Sequence, residues 1–195
     1  MFYNNNNNNN NNNKIFLIFH IILNIYIWKI IKTVYSIDVV IRNTEESILS
    51  LESILHSNSN YNEGLNIYFP DPYYPLGIYE VWSVSIPMDN SIAFISTSEN
   101  STIFDYGETT RFLFNINFDN KKNSLIRFSG IIFKHSSTSN IIYILSHHDE
   151  YNVVFDNCEF TNNRSNLVTI YSYININNIN SYDYYQLEFN NCKFM

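Results

Sequence analysis

Alanine is nearly missing from this 195-residue chain: Ala93 stands alone. An all-helical fold needs that residue or its close equivalents in quantity, so its scarcity argues against one. Cysteine is limited to Cys158 and Cys192. Two cysteines cannot build a disulfide scaffold, and their spacing gives no CxxC metal motif. Charged residues make up only 15% of the chain, against ~25% in an average domain. The basic side is the thinner one, with 11 Lys and Arg against 18 Asp and Glu and a net charge of −7. No basic stripe interrupts that acidity. Phosphate backbones are repelled by it, and nucleic acid is not an expected partner.

Asn, Ser, Ile and Tyr fill the space instead, and 17% of the residues are aromatic. β-branched and aromatic side chains pack on pleated surfaces, while Asn and Ser suit bends. The palette is that of an all-β fold.

Residues 1–36 read as a leader. Asn4 to Asn13 is an unbroken Asn tract that can bury nothing. Lys14 then opens an apolar run from Ile15 to Trp28, broken by His20 and Asn24. Fourteen helical residues reach about 21 Å, short of the ~30 Å hydrocarbon core of a bilayer. A positive residue, a short apolar stretch and the small Ser36 after Val34 and Tyr35 give a signal peptide cut between Ser36 and Ile37. The alternative is an uncleaved anchor over residues 15–31, making a single-pass membrane protein. The expected location is therefore secreted or extracellular-surface, with membrane contact only through an uncleaved leader.

Residues 37–64 read as a capping-helix region. Asn43 followed by Glu46 resembles a capping box. Ile48, Leu51 and Leu55 then share one helix face, which Leu49 and Ile54 widen. Beyond it the chain breaks into short β-like runs: Leu65 to Phe69, Tyr79 to Ile86, Ile92 to Ser96 and Phe112 to Phe118. Pro70, Pro72, Pro75 and Pro87 punctuate the early ones.

A repeat organises residues 65–195. Ile126 to Phe133, Val153 to Phe160 and Leu187 to Phe194 each set an apolar residue, a spacer, Phe, two small or polar residues, an apolar residue or Cys, a spacer and Phe. The intervals are 27 residues from Phe128 to Phe155 and 34 from Phe155 to Phe189, within the period range of stacked repeat folds. Two strands of alternating apolar residues flanking a bend fit one coil of a parallel β-helix, whose equivalent residues stack ~4.8 Å apart. Phe128, Phe155 and Phe189 then form one internal column, and Phe133, Phe160 and Phe194 another. Gly130, Asn157 and Asn191 take the bend, since Gly and Asn both tolerate a left-handed backbone. Their stacked amides could bond along the axis. Ile132, Glu159 and Lys193 form an outward column.

At these residues the chain resembles the pectin-lyase-like right-handed β-helix superfamily, and the Asn-rich secreted β-helix proteins of social amoebae in particular. The segments Gly77 to Tyr79, Ser91 to Ile95, Ser101 to Asp105 and Phe128 to Phe133 carry the resemblance, in that order. It implies a single-stranded right-handed β-helix and a secretory location. It implies no reaction, because that fold hosts enzymes, adhesins and inert scaffolds alike. The helix would then cover the N-terminal end of the coils. The chain ends on a strand of the last repeat, which reads either as a truncated β-helix or as an open coil that self-associates.

Asp105, Asp119, Asp156 and Glu159 are the acids available for polysaccharide chemistry. A general acid/base pair needs two carboxyls facing one sugar ring, and the residues matching Asp156 and Glu159 one repeat later are Asn190 and Lys193. No catalytic residue is assigned, and no cofactor. His147, His148, Asp149 and Glu150 read as a polar loop, since adjacent ligands make a poor tetrahedral set and His135 joins them only if the loop folds back. No metal is expected. Cys158 and Cys192 take the Ile131 position as small core residues, and stacking in adjacent coils would make them a candidate disulfide. Asn100 and Asn163 head N-glycosylation sequons, with Asn163 the better placed. The leading expectation is a non-enzymatic scaffold or adhesion module that binds carbohydrate or a second copy. A carbohydrate-active enzyme and a non-functional truncated product are the alternatives.

Overall fold

The computed structural model describes residues 36–58, 64–79, 83–87, 91–109, 113–118, 124–137, 140–146, 151–164, 166–172 and 187–195. The chain divides into two compact units, Met1–Ser36 and Ile37–Met195. Everything in the first unit except Ser36 lies outside the described residues, the whole 15–31 apolar run included. Among the described residues, no helix is long and apolar enough to cross a membrane.

The second unit is mostly β, with parallel sheets. Its strands, in chain order, begin with β1 (Ser36–Val40), β2 (Gly64–Phe69), β3 (Tyr73–Tyr74), β4 (Ser83–Pro87) and β5 (Ile92–Ser96). They continue with β6 (Thr102–Asp105), β7 (Leu113–Phe118), β8 (Ser124–Ser129), β9 (Ile131–Lys134) and β10 (Ile142–Ser146). The last are β11 (Tyr151–Asp156), β12 (Glu159–Thr161), β13 (Val168–Ser172), β14 (Leu187–Asn190) and β15 (Lys193–Phe194). One sheet runs β1-β2-β5-β8-β11-β14, a second β3-β6-β9-β12-β15 and a third β4-β7-β10-β13. From β2 onward every ladder is parallel. From β2 to β15 the chain therefore visits the three sheets in strict rotation, and each strand from β2 to β12 pairs with the strand three places on; β1 pairs with β2.

Alternation builds the strands. In β2 every second residue is buried, Leu65, Ile67 and Phe69; in β7 the buried set is Phe114, Ile116 and Phe118. A period of two is the pleat of a strand with one wet face. Phe94, Phe128, Phe155 and Phe189 are register partners across four strands, and Ile67 continues their column into β2. A second column runs Tyr74, Phe104, Phe133, Phe160 and Phe194. Each buried Phe contributes roughly 1.5–3 kcal/mol of transfer free energy. The columns fade at one end, where Phe189 is 37% and Phe194 57% exposed.

The corners between the first and second sheets use left-handed backbone. Gly130 (φ 67°), Asn157 (φ 52°) and Asn191 (φ 51°) hold this conformation, and so does Ser101 (φ 70°), which the Gly/Asn pattern does not reveal. Backbone bonds tie the corners to neighbouring strands: Gly130 N–H donates to Asp156 O (2.9 Å) and Asn157 N–H to Asn190 O (2.8 Å). The side-chain bond between neighbouring strands falls one residue earlier, from Asn190 Nδ2 to Asp156 Oδ1 at 2.9 Å.

The helical segment comprises α1 (Glu45–Leu49) and α2 (Leu51–Asn58). Its N-cap is Thr44, not Asn43. Thr44 Oγ1 accepts from the Ser47 amide (3.3 Å), and Ser47 Oγ accepts from the Arg42 amide (2.9 Å). Asn43 is spent elsewhere: its amide donates to Asp71 Oδ2 at 2.7 Å, and its Oδ1 accepts from the Tyr79 hydroxyl at 3.3 Å. Ile48, Leu51 and Leu55 are buried and α2 packs on β4, but Leu49 is 48% exposed and does not widen the apolar face. Two further corrections concern strands. Ser36–Val40 is a strand, paired to β2, across the boundary between the stretches read as leader (1–36) and as capping-helix region (37–64). Of the run read from Tyr79 to Ile86, Tyr79 closes a 3₁₀ turn over Leu76–Ile78 and Ser83–Pro87 is strand, while residues 80–82 lie outside the described residues.

Candidate functional site

The alternation of β6 turns Thr102 and Phe104 inward and leaves Ile103 and Asp105 on the outer wall. Tyr73 lies on the outer side of β3, and His135 follows directly after β9. The three side chains converge. Tyr73 Oη donates to Asp105 Oδ2 at 3.0 Å, His135 Nδ1 lies 3.0 Å from Asp105 Oδ1, and the Gly107 amide donates to that same Oδ1 at 2.9 Å.

Burial pushes the Asp105 carboxyl up, but the Gly107 amide, the His135 ring and the Tyr73 hydroxyl outweigh it and hold the group below its ordinary value. Tyr73 is pushed up, first by burial and then by the carboxylate it serves. An ionised Asp105 only accepts, so the proton of its contact with His135 sits on Nδ1.

The cluster borders a cleft of about 310 Å³ lined also by Pro75, Gly77, Ile78, Gly107 and Glu108. Its floor is close-packed backbone. A Cβ added to Gly77 would meet Tyr106 O at 2.2 Å, so only glycine fits there. Gly107 (φ 58°), Glu108 (φ 57°) and His135 (φ 60°) are all left-handed. The Glu108 amide donates to His135 O at 2.8 Å, and Ser137 Oγ donates to Glu108 O at 2.6 Å. The wall is thus fixed by its own bonds.

A second groove of about 370 Å³ runs along the Asn corners, between Asn100, Ser101, Asn157, Asn191, Glu159 and Lys193. Glu159 and Lys193 are register partners beside Ile132, and Glu159 Oε1 accepts from Thr161 Oγ1 at 2.7 Å. Asp156 is held by Arg127 Nε at 3.2 Å as well as by Asn190.

The structure holds Cys158 and Cys192 as free thiols. They take equivalent positions beside register-paired strands, with Cys158 Sγ donating to Phe128 O (3.4 Å) and Cys192 Sγ to Phe155 O (3.3 Å). Burial pushes the Cys158 thiol up to about 12. Of the sequons, Asn100 is exposed on a turn. Asn163 is half-buried and engaged at both ends, its Oδ1 accepting from the Ser136 amide and its Nδ2 donating to Phe133 O, each at 2.9 Å. A glycan on that Nδ2 would take one of its two hydrogens and leave the other for Phe133 O. Asp119 and the His147–Glu150 loop lie outside the described residues, and among those described no group of three or more His, Cys, Asp or Glu could hold a metal ion.

Nothing local in the sequence joins Asp105 to His135 or marks Tyr73 and Glu108. One signal could have joined them. Tyr73 precedes Asp105 by 32 residues and Asp105 precedes His135 by 30, both inside the 27-to-34 span of the Phe repeat.

No family model matches the chain, and neither does any curated protein or solved structure.

Proposed function

We propose that this chain is a right-handed parallel β-helix that serves as a non-enzymatic scaffold or adhesion module, secreted or held at the cell surface. The rotation through three parallel sheets supports the coil reading, and parallel crossovers are right-handed in about 98% of cases. The α1–α2 segment lies against β4, a terminal strand of its sheet, where a cap would belong. The resemblance to the pectin-lyase-like superfamily and the leader over residues 1–36 support export.

One observation carries the non-enzymatic reading: the described aspartates tie windings together. Asp38 accepts from Asn66 at 3.0 Å, and Asp71 takes both the Asn43 amide and the Arg42 guanidinium. Asp105 reaches both Tyr73 and His135, and Asp156 both Arg127 and Asn190. Partners sit roughly one repeat away in each case. Carboxylates consumed this way serve the wall and not a substrate.

Expression with a C-terminal tag tests the location. Product in the medium with Ile37 at its N-terminus is expected, and intact Met1 in the cytosol would reject export. A screen against acidic and neutral polysaccharides tests the inertness. Cleavage that disappears in Asp156→Ala, with the fold retained, would replace the scaffold by a carbohydrate-active enzyme.

A further inference from the structure

Both cysteines of the chain fall in one column of the fold. The column begins with Thr102 and Ile131, register partners that each directly follow a left-handed corner residue, Ser101 and Gly130. Cys158 and Cys192 hold the same place after Asn157 and Asn191. The pairs on either side of them, Asp156 with Asn190 and Glu159 with Lys193, are in register. The two cysteines are therefore neighbours across one strand spacing of ~4.8 Å, inside the Cα separation that a disulfide spans. Backbone bonds bracket the pair: the Asn157 amide donates to Asn190 O (2.8 Å) and the Lys193 amide to Cys158 O (3.0 Å). The side chains meet as well. Cys192 Sγ turns towards the neighbouring strand, 3.3 Å from Phe155 O, and a side-chain hydrogen bond joins it to Cys158.

We propose that Cys158 and Cys192 are an oxidisable pair that closes to a disulfide and staples β14 and β15 to the strands before them. Among the described residues, β14 and β15 are terminal strands of their sheets, each paired on one side only. Phe189 and Phe194, which they carry, are partly exposed. A covalent link across the 34 residues between the cysteines restrains this edge where hydrogen bonds hold it from one side. Both cysteines lie between a corner and a ladder, so the link interrupts neither strand. The oxidant is a small disulfide of the glutathione type. The less enclosed Cys192 meets it first: its thiolate attacks one sulfur, forms a mixed disulfide and releases one small thiol. Cys158 then loses its proton to solvent and attacks Cys192 Sγ, releasing the second. Two protein S–H bonds and one oxidant S–S bond give one protein S–S bond and two small thiols, and the two electrons end on the oxidant. The inference rests on neither export nor the scaffold reading.

The test takes the reduced, folded full chain into buffers of graded glutathione disulfide to glutathione ratio. Remaining thiols are then blocked and the peptides mapped without reduction. A Cys158–Cys192 linked peptide from monomeric protein is expected. At a given ratio, closure should be favoured about tenfold or more in the folded chain over the same chain in urea. Amide hydrogen exchange across residues 187–194 should slow by about tenfold or more on oxidation. Cys192→Ser, at the less enclosed site, should fold and show neither change. Glutathione retained on Cys192 beside a free Cys158 thiol, links only between two copies, equal closure in urea, or exchange unchanged by oxidation would overturn the proposal.

Discussion

Phe128 and Phe155 are register partners on neighbouring parallel strands, with ring centroids 5.2 Å apart and planes 11° from parallel. Phe155 meets Phe189 on its other side at 4.9 Å and 8°, and Phe133 and Phe160 approach it edge-on at 6.2 and 5.4 Å. Such pairs add about 0.5–1.5 kcal/mol beyond their area. Phe155→Ala empties the middle of this cluster and is expected to cost about 3–5 kcal/mol. Phe194→Ala, at a site 57% exposed, should cost under about 1.5 kcal/mol by the same reasoning. Urea midpoints of the two variants check this ordering, and a reversal would contradict the burial pattern.

The left-handed corners predict a signed pair of effects. Ser101 sits at φ 70° where the equivalent residues are Gly130, Asn157 and Asn191. Ser101→Gly should raise stability by up to about 1 kcal/mol, since an L side chain costs roughly 1–2 kcal/mol in that region. Asn157→Val should lower it by about 2 kcal/mol, combining that cost with β-branching. Thermal denaturation of both variants reads the two signs directly.

Thiol reactivity should separate the two cysteines. Burial pushes Cys158 up to about 12 and also raises Cys192, which is less enclosed. The thiolate is the reacting species. Alkylation near neutral pH, followed by mass spectrometry, should modify Cys192 first and leave Cys158 intact until the chain unfolds. Labelling of Cys158 at the rate of a free peptide thiol would contradict its burial.

Asp105 makes a pH prediction whose sign is fixed. Its folded value lies below the ordinary 3.8, so its contribution is complete above that pH and is lost as pH falls through the folded value. Asp105→Asn should therefore be less stable than the parent near pH 6 and approach it as pH falls below 3.8 and through the folded value. Melting curves across that window check it. A gap that stays constant down to the lowest pH would show that the carboxylate charge plays no part.

The columns were legible in the sequence because Phe128, Phe155 and Phe189 share a spaced pattern on both sides of a Gly or Asn corner. A period-two pattern carries its register with it. Strand β1 was not legible: Ser36–Val40 follows the apolar leader, and its alternation is only partly buried, so nothing sets it apart. The N-cap was misplaced by one residue because Asn43 and Thr44 both qualify locally. The choice is made by Asp71, 28 residues away. The Tyr73–Asp105–His135 cluster was hidden for a related reason. Its members share no motif, and only the separation of one repeat connects them.

Inter-strand NOEs on the protein with Phe side chains selectively labelled measure the stacking of the parallel strands most directly. Ring-to-ring contacts are expected along Phe94, Phe128, Phe155 and Phe189, and separately among Phe133, Phe160 and Phe194, with backbone contacts from Ile132 to Glu159 and on to Lys193. Assigned spectra in which Phe128 and Phe155 give contacts only to residues of other, unrelated segments would contradict the account.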